Sequence, residues 1–157
     1  MDVELINPFI SSTVNVLRTM AQTDLKVGKI APKTDRRTAG VITGVIGMAS
    51  DTITGNLILS FDEKSILGIV SRMLMEEYKE LNDQVVDAVG EITNMICGGA
   101  KSELSQKSII LSMATPMMIR GEHIEISQLS DGDLMTIPFQ TQDGWFVVET
   151  NLGRKPA

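Results

Sequence analysis

Asp87, Glu91 and Asn94 stand at i, i+4 and i+7 of the run DAVGEITNMICGGAK, a spacing that lines one stripe of an α-helix. Two carboxylates and a carboxamide on one stripe support a short list of chemistry. A carboxylate pairs with a cation. A carboxamide accepts from a water O–H with its oxygen and donates from its nitrogen, so it aims water without titrating. General acid–base work by the two acids would want perturbed pKa values in a cleft, which an outward helix face does not supply. A metal site is not predicted, because no histidine or third carboxylate shares the stripe and Mg²⁺ sites of this kind also draw on substrate phosphates. From spacing alone, a merely solvated polar face stays open.

The apolar residues of the segment fall elsewhere. Val85, Val89, Ile92, Ile96 and Gly99 form a stripe roughly 200° away at about 100° per residue. One side of the helix therefore presses on a core while the other offers its polar groups to an arriving molecule. Gly98 falls on the polar stripe one turn beyond Asn94, where a missing side chain admits a partner's backbone. Gly99 points to the apolar side and permits tight helix–sheet packing.

Other reactive residue types carry less. Cys97, the one cysteine, lies among Met95, Ile96, Gly98 and Gly99 with no base beside it, which predicts a packing role and a reducing compartment. His123, the single histidine, shares an outward face with Glu125, while Ile124 and Ile126 face inward. Met117–Met118 and Met73–Met75 read as core filler. A partial echo of the polar triplet, Glu4-x2-Asn7, would place its upstream acid before residue 1, and one active site is expected.

The bulk numbers exclude whole classes. At 157 residues the chain suits a single domain over 1–157, with 153–157 a flexible tail, and needs neither disulfides nor structural metal. Its core must be aliphatic and sulfur-rich, given 43% hydrophobic but 4% aromatic residues and ten methionines. A net charge of −6 and a pI near 4.8, with no basic block longer than Arg36–Arg37, argue against nucleic acid and anionic membrane. The start, MDVELINPF, is not a secretory signal, and no apolar run reaches the roughly 18–20 residues of a membrane span. A cytoplasmic protein is expected.

Local signals predict the elements that hold the stripe. Asn7–Pro8 opens a first helix, ending near Gln22–Asp24. Leu25–Ala31 is a strand stopped by Pro32, Thr38–Ala49 a long strand, and Ile53–Phe61 its hairpin partner. Asp62 caps a helix over Glu63–Met75, with Ile66, Leu67, Val70 and Met73–Leu74 inward. The helix bearing the triplet runs from about Asp83 to Gln106. Lys107–Thr115 is strand-like and halted by Pro116; a looser stretch follows, and Glu122–Ser127 alternates weakly. Asp133–Gln140 and Trp145–Asn151 form a hairpin about Asp143–Gly144. The order is an α-β-β-β unit used twice with one extra helix between copies. It predicts an α/β (α+β) fold: a largely antiparallel sheet with helices on one face.

Asp87-x3-Glu91-x2-Asn94, the Gly98–Gly99 that follows and the duplicated element order together resemble the CheC/CheX/FliY chemotaxis phosphatases, whose motif helix carries [Asp/Ser]-x3-Glu-x2-Asn. The resemblance spans most of the chain and is closest to the one-domain CheX members. It implies dephosphorylation of the aspartyl phosphate of CheY-like response regulators. Glu91 would contact the regulator's active-site Lys, Asn94 would aim the attacking water, and Asp87 would support the site. The chain would need no cofactor of its own, since Mg²⁺ is held by the regulator. The resemblance also implies a homodimer joined through sheet edges. The alternative is a non-catalytic module that binds a response regulator or a flagellar-switch component.

Overall fold

The computed structural model describes residues 2–156. Helix α1 (Val3–Ala21) leads into short strands β1 (Lys26–Val27) and β2 (Ala31–Lys33), then the long hairpin β3 (Ile42–Ala49) and β4 (Ile53–Phe61). Helices α2 (Glu63–Leu74) and α3 (Asp83–Ser105) follow. The chain returns through β5 (Ser112–Met113), β6 (Met117–Arg120), β7 (Leu134–Gln140), β8 (Trp145–Thr150) and β9 (Gly153–Arg154).

The strands make one nine-stranded sheet in the order β1-β7-β8-β4-β3-β5, with β2 beside β7, β6 beside β3 and β9 beside β4. Every pairing is antiparallel. The two halves interleave, because β4 of the first pairs directly with β8 of the second, Leu59 opposite Val148. Alternate residues Ile42, Ile46 and Met48 of β3, Leu57, Leu59 and Phe61 of β4, and Phe146 and Val148 of β8 join the helices' buried faces in the main core. Phe146 lies at its aromatic centre, ring centroids 4.9 Å from Phe61 and 5.1 Å from Phe139. The opposite face carries a smaller cluster of Val45, Ile58, Ile126 and Leu134. There Lys33 Nζ donates to the buried Glu149 carboxylate over 2.9 Å; burial pushes that carboxyl's pKa up and Lys33 opposes it.

The predicted antiparallel sheet with helices on one face is the observed architecture, but several boundaries moved. The first helix starts at Val3, capped by Asp2 whose carboxylate accepts from Glu4 N, rather than at Asn7–Pro8. Pro8 sits inside the helix as its sixth residue, past the first-turn amides that lack an intrahelical partner, so the helix forgoes the bond that an N–H there would make to Glu4 O; its ring is buried. Pro32 does not stop a strand; it lies in β2, an edge strand paired only to β7, where a missing N–H can face outward. Lys107–Thr115 yields only the two residues of β5, and the stretch expected to be loose forms β6 instead. Pairing to β3 lapses around Pro116 and resumes at Met117, opposite Val45. Ile124 is 41% exposed although Ile126 is buried, because Glu122–Ser127 makes a single bridge, Arg37 to Glu125, and no ladder that would impose alternation. Leu74 likewise faces out, as α2 ends there. The segment expected to fray does pair: Arg154 is opposite Ile53, and Lys155 N donates to Thr52 O. Ala157 lies outside the described residues.

Candidate functional site

α3 begins where Asn82 accepts from Val85 N through its side-chain oxygen at 3.0 Å. Its inner side buries Val85, Val89, Ile92, Ile96 and Cys97. Three close approaches lodge the helix. Beneath it, Gly44 of β3 meets Thr93, whose Oγ1 donates to Val89 O; a β-carbon at position 44 would collide with that hydroxyl. On one flank Gly90 faces Met118 of β6, with room for a β-carbon only 3.0 Å from the sulfur. On the other flank Gly99 meets Ser12 of α1, and Ser12 Oγ donates to Ile96 O at 2.7 Å. Gly99 thus permits helix–helix packing against α1, not the helix–sheet contact expected from its position on the apolar stripe.

With β3 below, β6 on one side and α1 on the other, the remaining face of α3 is free. Asp87, Glu91 and Asn94 are all exposed on it. Among the described residues, none of these three side chains makes a hydrogen bond or ion pair with the rest of the chain, in contrast to their neighbours Asn82 and Thr93. An unpaired carboxamide on a well-packed helix keeps both its donor and its acceptor available. A β-carbon at Gly98 would find nothing within 4 Å, so the stripe continues into an open notch one turn past Asn94.

The competing chemistry is not assembled. Burial pushes the Cys97 thiol up to about 11, against a smaller downward pull from Lys101, which keeps it protonated and unreactive at neutral pH. Among the described residues no cluster of three metal-ligating side chains exists. The surface hollows at Gly47, Asn56 and Ser130 (about 410 Å³) and at Lys64, Tyr78 and Asp143 (about 520 Å³) are lined by other residues, not by the stripe. His123 is exposed, beside Glu122. The echo residues Glu4 and Asn7 are exposed on α1, and Asn7 is inside that helix rather than its cap. What the sequence did not disclose is the flanking: nothing in its periodicity places Met118 or Ser12 against α3, since those contacts depend on tertiary pairing. No helix among the described residues is long and apolar enough to cross a membrane.

A family model described as Chemotaxis phosphatase CheX matches residues 42–140, from β3 through β7 with the whole of α3 between. A CheC-like superfamily protein from Shewanella sp. PV-4, known from its crystal structure, is 40% identical, superposes with a TM-score of 0.90 and is matched over 98% of this chain and 99% of its own. The CheY-P phosphatase CheX of Thermotoga maritima is 27% identical over 139 residues, 88% of each chain. A structure of a CheX–CheY–BeF₃–Mg²⁺ complex from Borrelia burgdorferi contains a chain 25% identical, with a TM-score of 0.78, matched over 99% of this chain and 100% of its own. By the span of that match and the closeness of these relatives, the chain belongs to the chemotaxis phosphatase CheX family.

Proposed function

We propose that this protein is a cytoplasmic, single-domain phosphatase that hydrolyses the aspartyl phosphate of a CheY-like response regulator, docking through the outer stripe of α3. The reading is supported by family membership, by the activity carried in the name of the Thermotoga maritima relative, and by the CheX–CheY pairing in the Borrelia burgdorferi complex. The observation that carries it is the exposed, unpartnered Asn94 on a helix fixed on three sides.

In this mechanism α3 enters the regulator's phosphorylation site as a rigid rod. The Glu91 carboxylate pairs with the regulator's active-site lysine in a charge-assisted contact that sets the register. Asn94 then stands over the phosphoryl group. Its oxygen accepts from a water O–H and its nitrogen donates to a phosphoryl oxygen, which holds the water in line with the bond that breaks. No strong base is needed, because phosphoryl transfer runs through a loose transition state in which placement and charge stabilisation dominate. Water's oxygen bonds to phosphorus, the P–O bond to the aspartyl carboxylate breaks, and the water's proton leaves with the phosphate. Asp87 supports the site from one turn before Glu91. The chain supplies no cofactor; Mg²⁺ belongs to the regulator.

Gly98 serves as the notch that receives the regulator's backbone. Gly98→Leu should lower phosphatase activity by at least tenfold while raising helix stability, since Gly in a helix interior costs roughly 1 kcal/mol and the site has open space. Activity and thermal melts on the same sample check it. Unchanged activity would remove Gly98 from the docking surface.

The protein also forms a homodimer through a sheet edge. The edge of β5 and β6 suits this, with exposed Met117 and Ile110 nearby, whereas the edge of β1 and β2 carries Lys26, Pro32 and Lys33, residues that discourage pairing. Sedimentation velocity should give a dimer, and Met117→Lys should shift it toward monomer.

The activity itself is tested by following the decay of radiolabelled phosphate on purified CheY-like regulators. Accelerated decay is expected. Phosphorylation-dependent binding with an unaltered decay would mean a binding module instead.

A further inference from the structure

The polar stripe of α3 does not end at Gly98. Asp87, Glu91, Asn94, Gly98 and Lys101 repeat the same alternating steps of four and three, so Lys101 stands on the same line, one turn past the open notch. It is the single basic residue of α3, and no ion pair within the described residues claims it. Helical side chains lean back toward the N-terminus, so a lysine at this position leans over the turn that holds Cys97 and Gly98. The charge is close enough to oppose the burial effect on Cys97, one turn before it.

Along the helix the stripe therefore runs acid, acid, neutral carboxamide, gap, base. Glu91 and Lys101 are ten residues apart, roughly 15 Å along the axis at 1.5 Å per residue. A surface that complements this has a cation at one end and an anion at the other. With a net charge of −6, this protein repels an acidic partner as the two approach, and Lys101 supplies the one positive charge on the stripe.

We propose that Lys101 is a docking and specificity residue: it receives an acidic side chain on the regulator's surface beside the phosphorylation site, and so fixes which regulators the helix accepts and in which direction it lies. The proposal rests on the phosphatase reading above. Lys101 touches no reacting atom; it acts on encounter and register.

The test compares the native protein with Lys101→Gln, Lys101→Glu and Lys101→Arg on one phosphorylated regulator, at about 0.02 M and about 0.5 M salt, where screening is weak and strong. Lys101→Gln should raise KM about threefold to tenfold at low salt with kcat unchanged, and the gap should close at high salt. Lys101→Glu should be worse, Lys101→Arg close to native, and a lysine in place of the facing regulator acid should restore Lys101→Glu. A purely structural role, such as a favourable cation near the helix C-terminus, would move the melting temperature and leave KM alone. An unmoved KM, a fall in kcat, or a loss that tracks stability would overturn the proposal while a native enzyme that still accelerates decay leaves the phosphatase reading intact. A native protein inert toward every regulator would remove both.

Discussion

Asn94→Ala should lose about 100-fold of the stimulated dephosphorylation rate while the fold survives. The size follows from the mechanism: if aiming the water gives about two orders of magnitude, the barrier rises by about 2.7 kcal/mol when the carboxamide is removed. The survival of the fold follows from the structure. Asn94 is exposed and its side chain holds nothing else in place, so alanine leaves no cavity and no orphaned partner, and a slightly better helix former takes the position. Binding of the phosphorylated regulator should weaken far less than the rate, because Glu91 and the rest of the stripe still dock. Decay of labelled regulator in single-turnover conditions, set beside a thermal melt, checks all three statements. A variant that keeps its rate would take Asn94 out of the chemistry.

The opposite profile is expected from Phe146→Ala. Phe146 is fully buried and stacks on both Phe61 and Phe139, bridging β4 and β7 across β8. Removing a buried phenyl ring costs about 3–5 kcal/mol in lost transfer energy and cavity. Against a net stability of about 5–15 kcal/mol for a domain this is a large share, and a drop in Tm on the order of 10 °C follows for a chain of this size. The ring belongs to the sheet core and lies under none of the stripe residues, so molecules that remain folded at low temperature should dephosphorylate at a near-native rate. Urea titration and a cold activity assay measure the two halves. A small stability change would mean that the neighbouring helices collapse into the hole.

The contrast between these residues also shows what was legible before any coordinates. The stripe was, because Asp87, Glu91 and Asn94 lie within eight residues of one helix and a 3.6-residue period alone sets which way they point. Exposure of the three and burial of Val85, Val89, Ile92 and Ile96 followed from that period. The hairpin of β3 and β4, the Asp62 cap and the span of α3 were equally local. The misses arose where tertiary contacts override local signals. Pro32 inside β2 is tolerated because it lies on a sheet edge, and Pro8 lies inside α1 with its ring buried; no neighbour in the sequence announces either. The break of the edge strand around Pro116 depends on which backbone groups β3 still has free. For Gly99 the period gives an angle around the helix, not the identity of what lies there, so the contact with Ser12, 87 positions earlier, is not legible in the sequence. Lys101 falls on the same line by the same period, one turn beyond Gly98.

The proposed phosphatase activity requires the stripe of α3 to be the surface that meets the phosphorylated aspartate. A crystal structure of this protein bound to its regulator, with beryllofluoride in place of the phosphoryl group, measures that directly. The expected complex has α3 seated in the regulator's site, Glu91 paired with a lysine, and the Asn94 carboxamide within about 3 Å of a water or fluoride on the attack side. A complex in which that face of α3 remains in solvent, or in which Asn94 turns to bond its own chain, would contradict it.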